Sequence, residues 1–495
     1  MRSQEAPRTK TGDQHLGMDR LVIVSNRLPV AITKGARGQW QVEPAVGGLV
    51  SALAPLLRER SGLWIGWPGN AEEADLGEPL ARASRSLGYE LQLVPLSREE
   101  TDRYYQGFSN EILWPLFHDL QTLCRFDPAY WNSYQSVNRK FARAIAERAG
   151  PRDYVWVHDY HLMLVARELR SMGLERKLGF FLHTPFPPAD IYFKLPWRSQ
   201  ILAALLDYDL IGFQTLRDRN NFVHCVTGVL KGYHVDARRQ VTTIKTSKRE
   251  VQVGSFPIGI EYKEYRRQAA SSEVTRAARL VRTALPNRKI VLGVDRLDYS
   301  KGIPEKLRAF GNALDRFDDL RGKVSLVQVV VPSREAVLQY RALRDEIEGL
   351  VGEINGKFTR LGWVPVHYMF RSLERTELLA YYRAADIALI TSLKDGMNLV
   401  AKEYCAANID RSGVLILSEF AGAADQLRRN SLLVNPYDSE GVANAIQRAY
   451  HMGVEERQRR MRRLQVSVQK RNVFWWVDFY LRTATGKGVD ESLAP

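Results

Sequence analysis

Asp395 and Glu403 frame the segment of this chain best equipped for chemistry, residues 391–404 (TSLKDGMNLVAKEY). The apolar run 386–390 (DIALI) reads as a buried strand of a parallel sheet, which puts Asp395 in the loop that follows. Glu403 then falls in the first turns of a helix. Gly396, Asn398 and Leu399 lie between the two acids, so backbone N–H groups at a helix N-terminus can face a phosphate. Two carboxylates can hold hydroxyls, and the combination suits a nucleotide sugar. Taken alone, the same pattern also fits a capped helix with a solvated face.

Other segments add chemistry of the same kind. Arg296 and Lys301, five apart in GVDRLDYSKG (293–302), offer a planar fork and a mobile point charge to a diphosphate. Gly47 and Gly48 precede an expected helix; they allow close backbone approach to a phosphate, or simply a tight turn. No G-x-G-x-x-G spacing occurs in the chain. His158, Asp159 and His161 end another apolar run, as does His183 before Thr184 and Pro185. Two histidines beside an acid invite a metal reading, but no third cluster with ligand spacing supports it. Asp159 reads better as an acceptor for sugar hydroxyls, and His183 reads equally as a core histidine. The aromatic stretch 108–118 (FSNEILWPLFH) reads as core.

The elements that must position these groups are short apolar runs alternating with amphipathic stretches. Strands are expected at 21–26, 63–67, 154–159, 178–183 and 209–214 in the first half, and at 289–294, 324–331, 386–391 and 414–419 in the second. Strand and helix alternation means βαβ units and parallel sheets. The expectation is an α/β chain of two Rossmann-like, doubly wound domains facing a central cleft at the carboxyl ends of their strands. A polar extension 1–20 precedes a first domain 21–258 and a second domain 259–470, with Pro257 and Gly259 at the junction. The aromatic stretch NVFWWVDFYL opens a last segment, 471–495, expected to pack back on the first domain.

At 495 residues the chain suits two domains, and 45% hydrophobic residues fit a globular protein. A net charge of +15 favours an anionic partner without choosing among metabolites, nucleotides and nucleic acid. The run 457–463 (RQRRMRR) has no interleaved aromatics, so a solvated helix face is preferred to a nucleic-acid patch. Three widely spaced cysteines argue against a disulfide framework and for a reducing compartment. With no apolar leader and no membrane-length run, the expectation is a soluble cytoplasmic protein without membrane or nucleic-acid partners.

Taken in order, VSNRLPV, GGLVSAL, GLWIGWPG, YYQGFSNEILWPLFH, WVHDYHLMLV, GFFLHTPFP, DLIGFQT, FPIGI, DRLDYSKGI, SLKDGMNLVAKEY and LSEFAGAA closely resemble the trehalose-6-phosphate synthase family. The resemblance runs from about Leu21 to Phe479. It implies a retaining glycosyltransferase of GT-B fold that moves glucose from UDP-glucose to glucose 6-phosphate by front-face attack. Neither a cofactor nor a metal is implied. Donor residues would be Gly47, Gly48, Arg296, Lys301, Asp395, Asn398, Leu399, Val400, Ala401, Lys402 and Glu403, with Glu403 on the ribose and Asp395 on the donor glucose. His183 would lie near the reacting face. Acceptor residues would be Arg27, Tyr105, Trp114, Asp159 and Arg334. UDP as the base rests on the resemblance alone. A relative using glycerol 3-phosphate, a catalytically silent sugar-phosphate sensor and a homo-oligomer all remain open at this level.

Overall fold

A parallel strand covered on both faces has no polar side to show, and the continuous apolar runs of this chain become central strands for that reason. The structure is a computed structural model and describes residues 18–34, 40–44, 48–59, 61–69, 76–237, 241–333 and 338–486.

Among the described residues the first half forms a nine-stranded sheet. Its order is Glu90–Leu93, Leu63–Trp67, Leu21–Arg27, Tyr154–His158, Lys177–Phe181, Leu210–Phe213, Glu250–Ser255, Val241–Lys245 and His234–Ala237. The first seven run parallel and the last two extend the sheet antiparallel. The second half forms a six-stranded, wholly parallel sheet ordered Val366–Phe370, Val324–Val331, Lys289–Arg296, Ile387–Ile390, Val414–Ser418 and Leu432–Val434.

The parallel part of each sheet reverses its strand order once. In the first the chain works outward from Leu21–Arg27, then returns beside it at Tyr154–His158. In the second the reversal lies between Lys289–Arg296 and Ile387–Ile390. Ligands of doubly wound sheets bind in the crevice such a reversal opens at the strands' carboxyl ends. Arg27 and Asp159 stand at the first reversal, and Arg296 and Asp395 at the second. The two reversals face one cleft, the GT-B arrangement.

Strands missing from the sequence-based expectation lie mostly at sheet edges. Glu90–Leu93 and Val366–Phe370 are half-exposed, only four and five residues long, and mix polar with apolar residues, so no continuous apolar run marks them. Asp386, expected to begin a strand, precedes it. Its carboxylate accepts the Ile290 N–H and pairs with Arg282 and Lys289.

The last helix, Val473–Ala484, packs on the first sheet: Tyr480 stacks on Trp156 with centroids 4.1 Å apart and donates its hydroxyl to the Phe180 carbonyl. The chain therefore crosses between the halves twice. The crossings touch where Val473 N–H donates to Ile260 O, and a Cβ on Gly259 would lie 2.4 Å from the Arg471 carbonyl oxygen.

Candidate functional site

The cleft between the two reversals encloses about 710 Å³, within the ordinary range for small-molecule sites, roughly 300–1,000 Å³. Its first wall is built around Arg27, which leaves the end of its strand with the guanidinium 4.1 Å from the Trp67 ring centroid and 5.3 Å from that of Tyr105. Gly69, at φ +100°, lies flat against this guanidinium; a Cβ there would collide with it. Tyr105 sits on a π-helical stretch, Thr101–Leu113, a wide-turn geometry frequent at functional sites, and its ring stacks on His161.

Asp159 follows its strand at φ +74°, ψ 166°, a backbone region that is essentially glycine-only and costs about 1–3 kcal/mol for other residues. Strain of that size, next to a cleft, points to a positioned side chain. Its carboxylate accepts the His183 N–H at 3.4 Å. Burial pushes the Asp159 carboxyl up to about 6, against the opposing pull of the Tyr160, His183 and Thr184 amides and the Arg296 charge. His183 Nε2 meets His158 Nδ1 at 3.1 Å, and burial pushes the His183 imidazole down to about 3, so it is neutral in ordinary buffers.

The second wall centres on Asp395. One of its oxygens receives the Lys301 ammonium at 2.6 Å and the Asn398 side-chain amide at 3.2 Å; the other accepts the Met397 and Asn398 backbone N–H groups. Burial alone would raise this carboxyl, but the Lys301 charge and hydrogen bond, with the Met397 amide, hold it below the usual carboxylate range. Asp395 is therefore fixed as an anion. Arg296, exposed at its strand end, holds its guanidinium 5.8 Å from the Trp114 ring centroid. Trp114 comes from the opposite wall and also donates its indole N–H to Asp298 at 3.3 Å, tying the halves together.

The helix Leu399–Ala407 begins at Asn398, which adopts φ +58° and caps it by accepting the Ala401 N–H. Leu399 and Val400 line the cleft at its first turn, where helix N–H groups have no intrahelical acceptors. Glu403 lies one turn on, each oxygen held by a tyrosine: Tyr265 at 2.7 Å and Tyr382 at 3.0 Å. Gly396 brings the walls into backbone contact, since a Cβ there would stand 2.2 Å from the His183 carbonyl oxygen.

Arg27, Tyr105, Trp114, Asp159, His183, Arg296, Lys301, Asp395, Asn398, Leu399, Val400 and Glu403 all line this one cleft. Two residues expected on its donor side face elsewhere. The Ala401 N–H is taken by Asn398, and Lys402 turns its ammonium to the Ile258 carbonyl at 2.5 Å, at the crossing between the halves. Helical periodicity explains this, because Leu399, Val400 and Glu403 share a face that Ala401 and Lys402 do not. Gly48 opens the helix Gly48–Glu59, whereas Gly47 and Arg334 lie outside the described residues. Sequence reasoning missed Trp67, Tyr265, Tyr382 and Asp298, and it named His158, beside Asp159, only in weighing and setting aside a metal site.

The model for glycosyltransferase family 20 matches residues 19–485. A trehalose-6-phosphate synthase from Mycolicibacterium vanbaalenii is 42% identical over 492 residues, 98% of this chain and 99% of the relative. One from Mycobacterium leprae is 43% identical over 479 residues, 95% of each. A Burkholderia xenovorans α,α-trehalose-phosphate synthase (UDP-forming), solved in complex with glucose-6-phosphate, superposes with a TM-score of 0.84 at 36% identity, covering 94% of this chain and 100% of that one. An E. coli chain bound with UDP-2-fluoro glucose gives the same TM-score and identity over 94% and 99%. With a cleft built on two opposed strand reversals and relatives matching along nearly its whole length, the chain belongs to glycosyltransferase family 20.

Proposed function

We propose that this chain transfers glucose from UDP-glucose to glucose 6-phosphate, giving trehalose 6-phosphate and UDP with retention at the anomeric carbon. Residues 21–258 carry the acceptor side and residues 259–470 the donor side. The observation that carries the reading is the opposition of two cation sets across one cleft, Arg27 on aromatic faces and Arg296 with Lys301 beside Asp395. The relatives, one solved with glucose-6-phosphate and another with UDP-2-fluoro glucose, support the assignment of substrates.

In this reading Arg27 grips the acceptor phosphate with Arg334, while Tyr105, Trp114 and Asp159 bind its sugar. Asp395 accepts donor-glucose hydroxyls, His183 stands at the reacting face, and Glu403 accepts the ribose hydroxyls. Gly47, Gly48 and the first turn of helix Leu399–Ala407 approach the diphosphate. The acceptor hydroxyl attacks the anomeric carbon on the face from which UDP departs, and its proton passes to the leaving phosphate oxygen as that C–O bond breaks. Arg296 and Lys301 stabilise the charge that grows on the diphosphate. An ammonium has three donors, so Lys301 can meet phosphate without releasing Asp395. Wall-to-wall contact at Gly396 excludes water, which would otherwise hydrolyse the donor. The test is UDP release from UDP-glucose in the presence of a chelator: release that depends on glucose 6-phosphate is expected, and acceptor-independent release or none would overturn the reading. Competition among UDP-, GDP- and ADP-glucose tests the base.

A further inference from the structure

The two histidines in contact behind the reacting face have to divide one hydrogen between them. Burial lowers both imidazoles, so both are neutral, and each neutral ring carries one N–H and one lone pair. They meet through His158 Nδ1 and His183 Nε2 at 3.1 Å, so one of these nitrogens donates and the other accepts.

The far side of His158 decides which. Its Nε2 is buried, with no hydrogen-bonding partner among the described residues. Its surroundings are aromatic: the Trp156 and Phe181 ring centroids lie 4.7 and 6.5 Å from the imidazole's. A hydrogen on Nε2 would be an orphaned buried donor, the rarest and among the costlier states of a polar group. On Nδ1 the same hydrogen has His183 to receive it. His158 therefore donates, His183 Nε2 accepts, and the one hydrogen of the His183 ring is left on Nδ1.

We propose that His158 is a positioning residue that fixes His183 in its Nδ1–H tautomer, so that this cleft-lining ring meets a sugar oxygen as a hydrogen-bond donor and not as a base. The sugar oxygen as ligand rests on the glucosyl-transfer reading; the tautomer does not. A donor at this place cannot remove the acceptor's proton, which leaves that proton to the departing phosphate.

Long-range proton–nitrogen correlation NMR on protein labelled with 15N-histidine tests the tautomer directly, with the His183 signals identified by their loss in His183→Gln. The expected result is a protonated-type nitrogen at Nδ1 and a lone-pair-type nitrogen at Nε2, unchanged between about pH 6 and 9, where neither lowered imidazole titrates. The reverse pattern, or a mixture, overturns the proposal whether or not the protein transfers glucose. Kinetics supply the second arm. His158→Phe, which removes the donor, is expected to lower kcat about 10–100-fold with the acceptor KM little changed, the size seen when a supporting hydrogen bond is lost. His158→Asn, whose side-chain amide stands in for Nδ1–H, is expected to recover most of that loss. Equal impairment of the two variants, or full activity in both, sinks the idea; if His158→Phe does not fold, the wild-type spectrum still decides. Absent turnover in the wild type would count against the transfer reading alone.

Discussion

Arg27 and Lys301 are cations in the same cleft, and the two walls hold them in opposite ways. Arg27 lies on the faces of Trp67 and Tyr105, and among the described residues no carboxylate pairs with it. Lys301 is locked to Asp395, a carboxylate only 8% exposed. A weakly hydrated guanidinium on an aromatic face keeps its full charge available. A paired ammonium offers little net field but a fixed position, and it keeps its partner ionised. Under the proposed transfer, the difference suits what each ligand does with its charge. An acceptor phosphate stays anionic throughout and needs a standing grip. A diphosphate gains charge only as it leaves, so a balanced pair that favours it late helps the transition state more than the ground state.

The largest expected effect comes from unbalancing the second wall. Asp395→Asn keeps a group that can meet the Asn398 side chain but leaves Lys301 unpaired, and kcat/KM for UDP release should fall about 10²–10³-fold. A loss of less than tenfold would break the contrast between the walls. On the first wall, Arg27→Lys retains charge but loses the planar stack. The acceptor KM should rise roughly tenfold, which corresponds to about 1.4 kcal/mol, with the donor KM unmoved. Equal rises in both would mean that Arg27 serves the closed cleft and not the acceptor.

Lys402, on the back of the helix that carries Glu403, sharpens the boundary of the second wall. Burial, with the nearby Arg471 charge, pushes its ammonium down to about 7 from an ordinary 10.5. Between those values the unfolded chain holds a proton that the folded chain has released. This group therefore makes stability rise with pH across that window, and its penalty is complete below about 7. With Lys402 in place the slope should appear as a Tm roughly 2–4 °C higher in alkaline than in neutral buffer by calorimetry, and Lys402→Met should abolish that difference. An unchanged slope would place the charge elsewhere. The smallest effect belongs to the Asp119–Lys394 ion pair, which joins the walls at 2.6 Å with Asp119 37% exposed. A pair that solvated is worth about 1 kcal/mol or less, so Asp119→Asn should change KM values by no more than about fivefold, and less at high salt.

What could be read in advance was local. Arg27, Asp159, Arg296 and Asp395 follow apolar runs, and side chains just beyond buried parallel strands gather where α/β sites form. The helix after Asp395 was legible from Asn398 onward because cap, apolar face and acid are neighbours in the chain. Tyr265 and Glu403 touch across 138 positions, and His158 and His183 across 25, so no spacing announces either contact. Trp67 escaped for another reason: in LWIGW it satisfies the pattern of a core strand, and nothing distinguishes an aromatic that fills a core from one that also carries a cation on its face.

By itself the sequence determined which segments become buried parallel strands, where the carboxyl ends of those strands put charged side chains, and, through its ordered motifs, the family. Burial on both faces leaves a strand no choice but a continuous apolar run, and that is written in consecutive residues. Only the tertiary structure decided how those charges are balanced. Arg27 rests on rings, Lys301 on Asp395, Arg296 on a tryptophan of the opposite half, and Lys402 turns to the crossing at Ile258. Charge compensation depends on distance through space, and two strand reversals from separate sheets had to face each other before that distance existed.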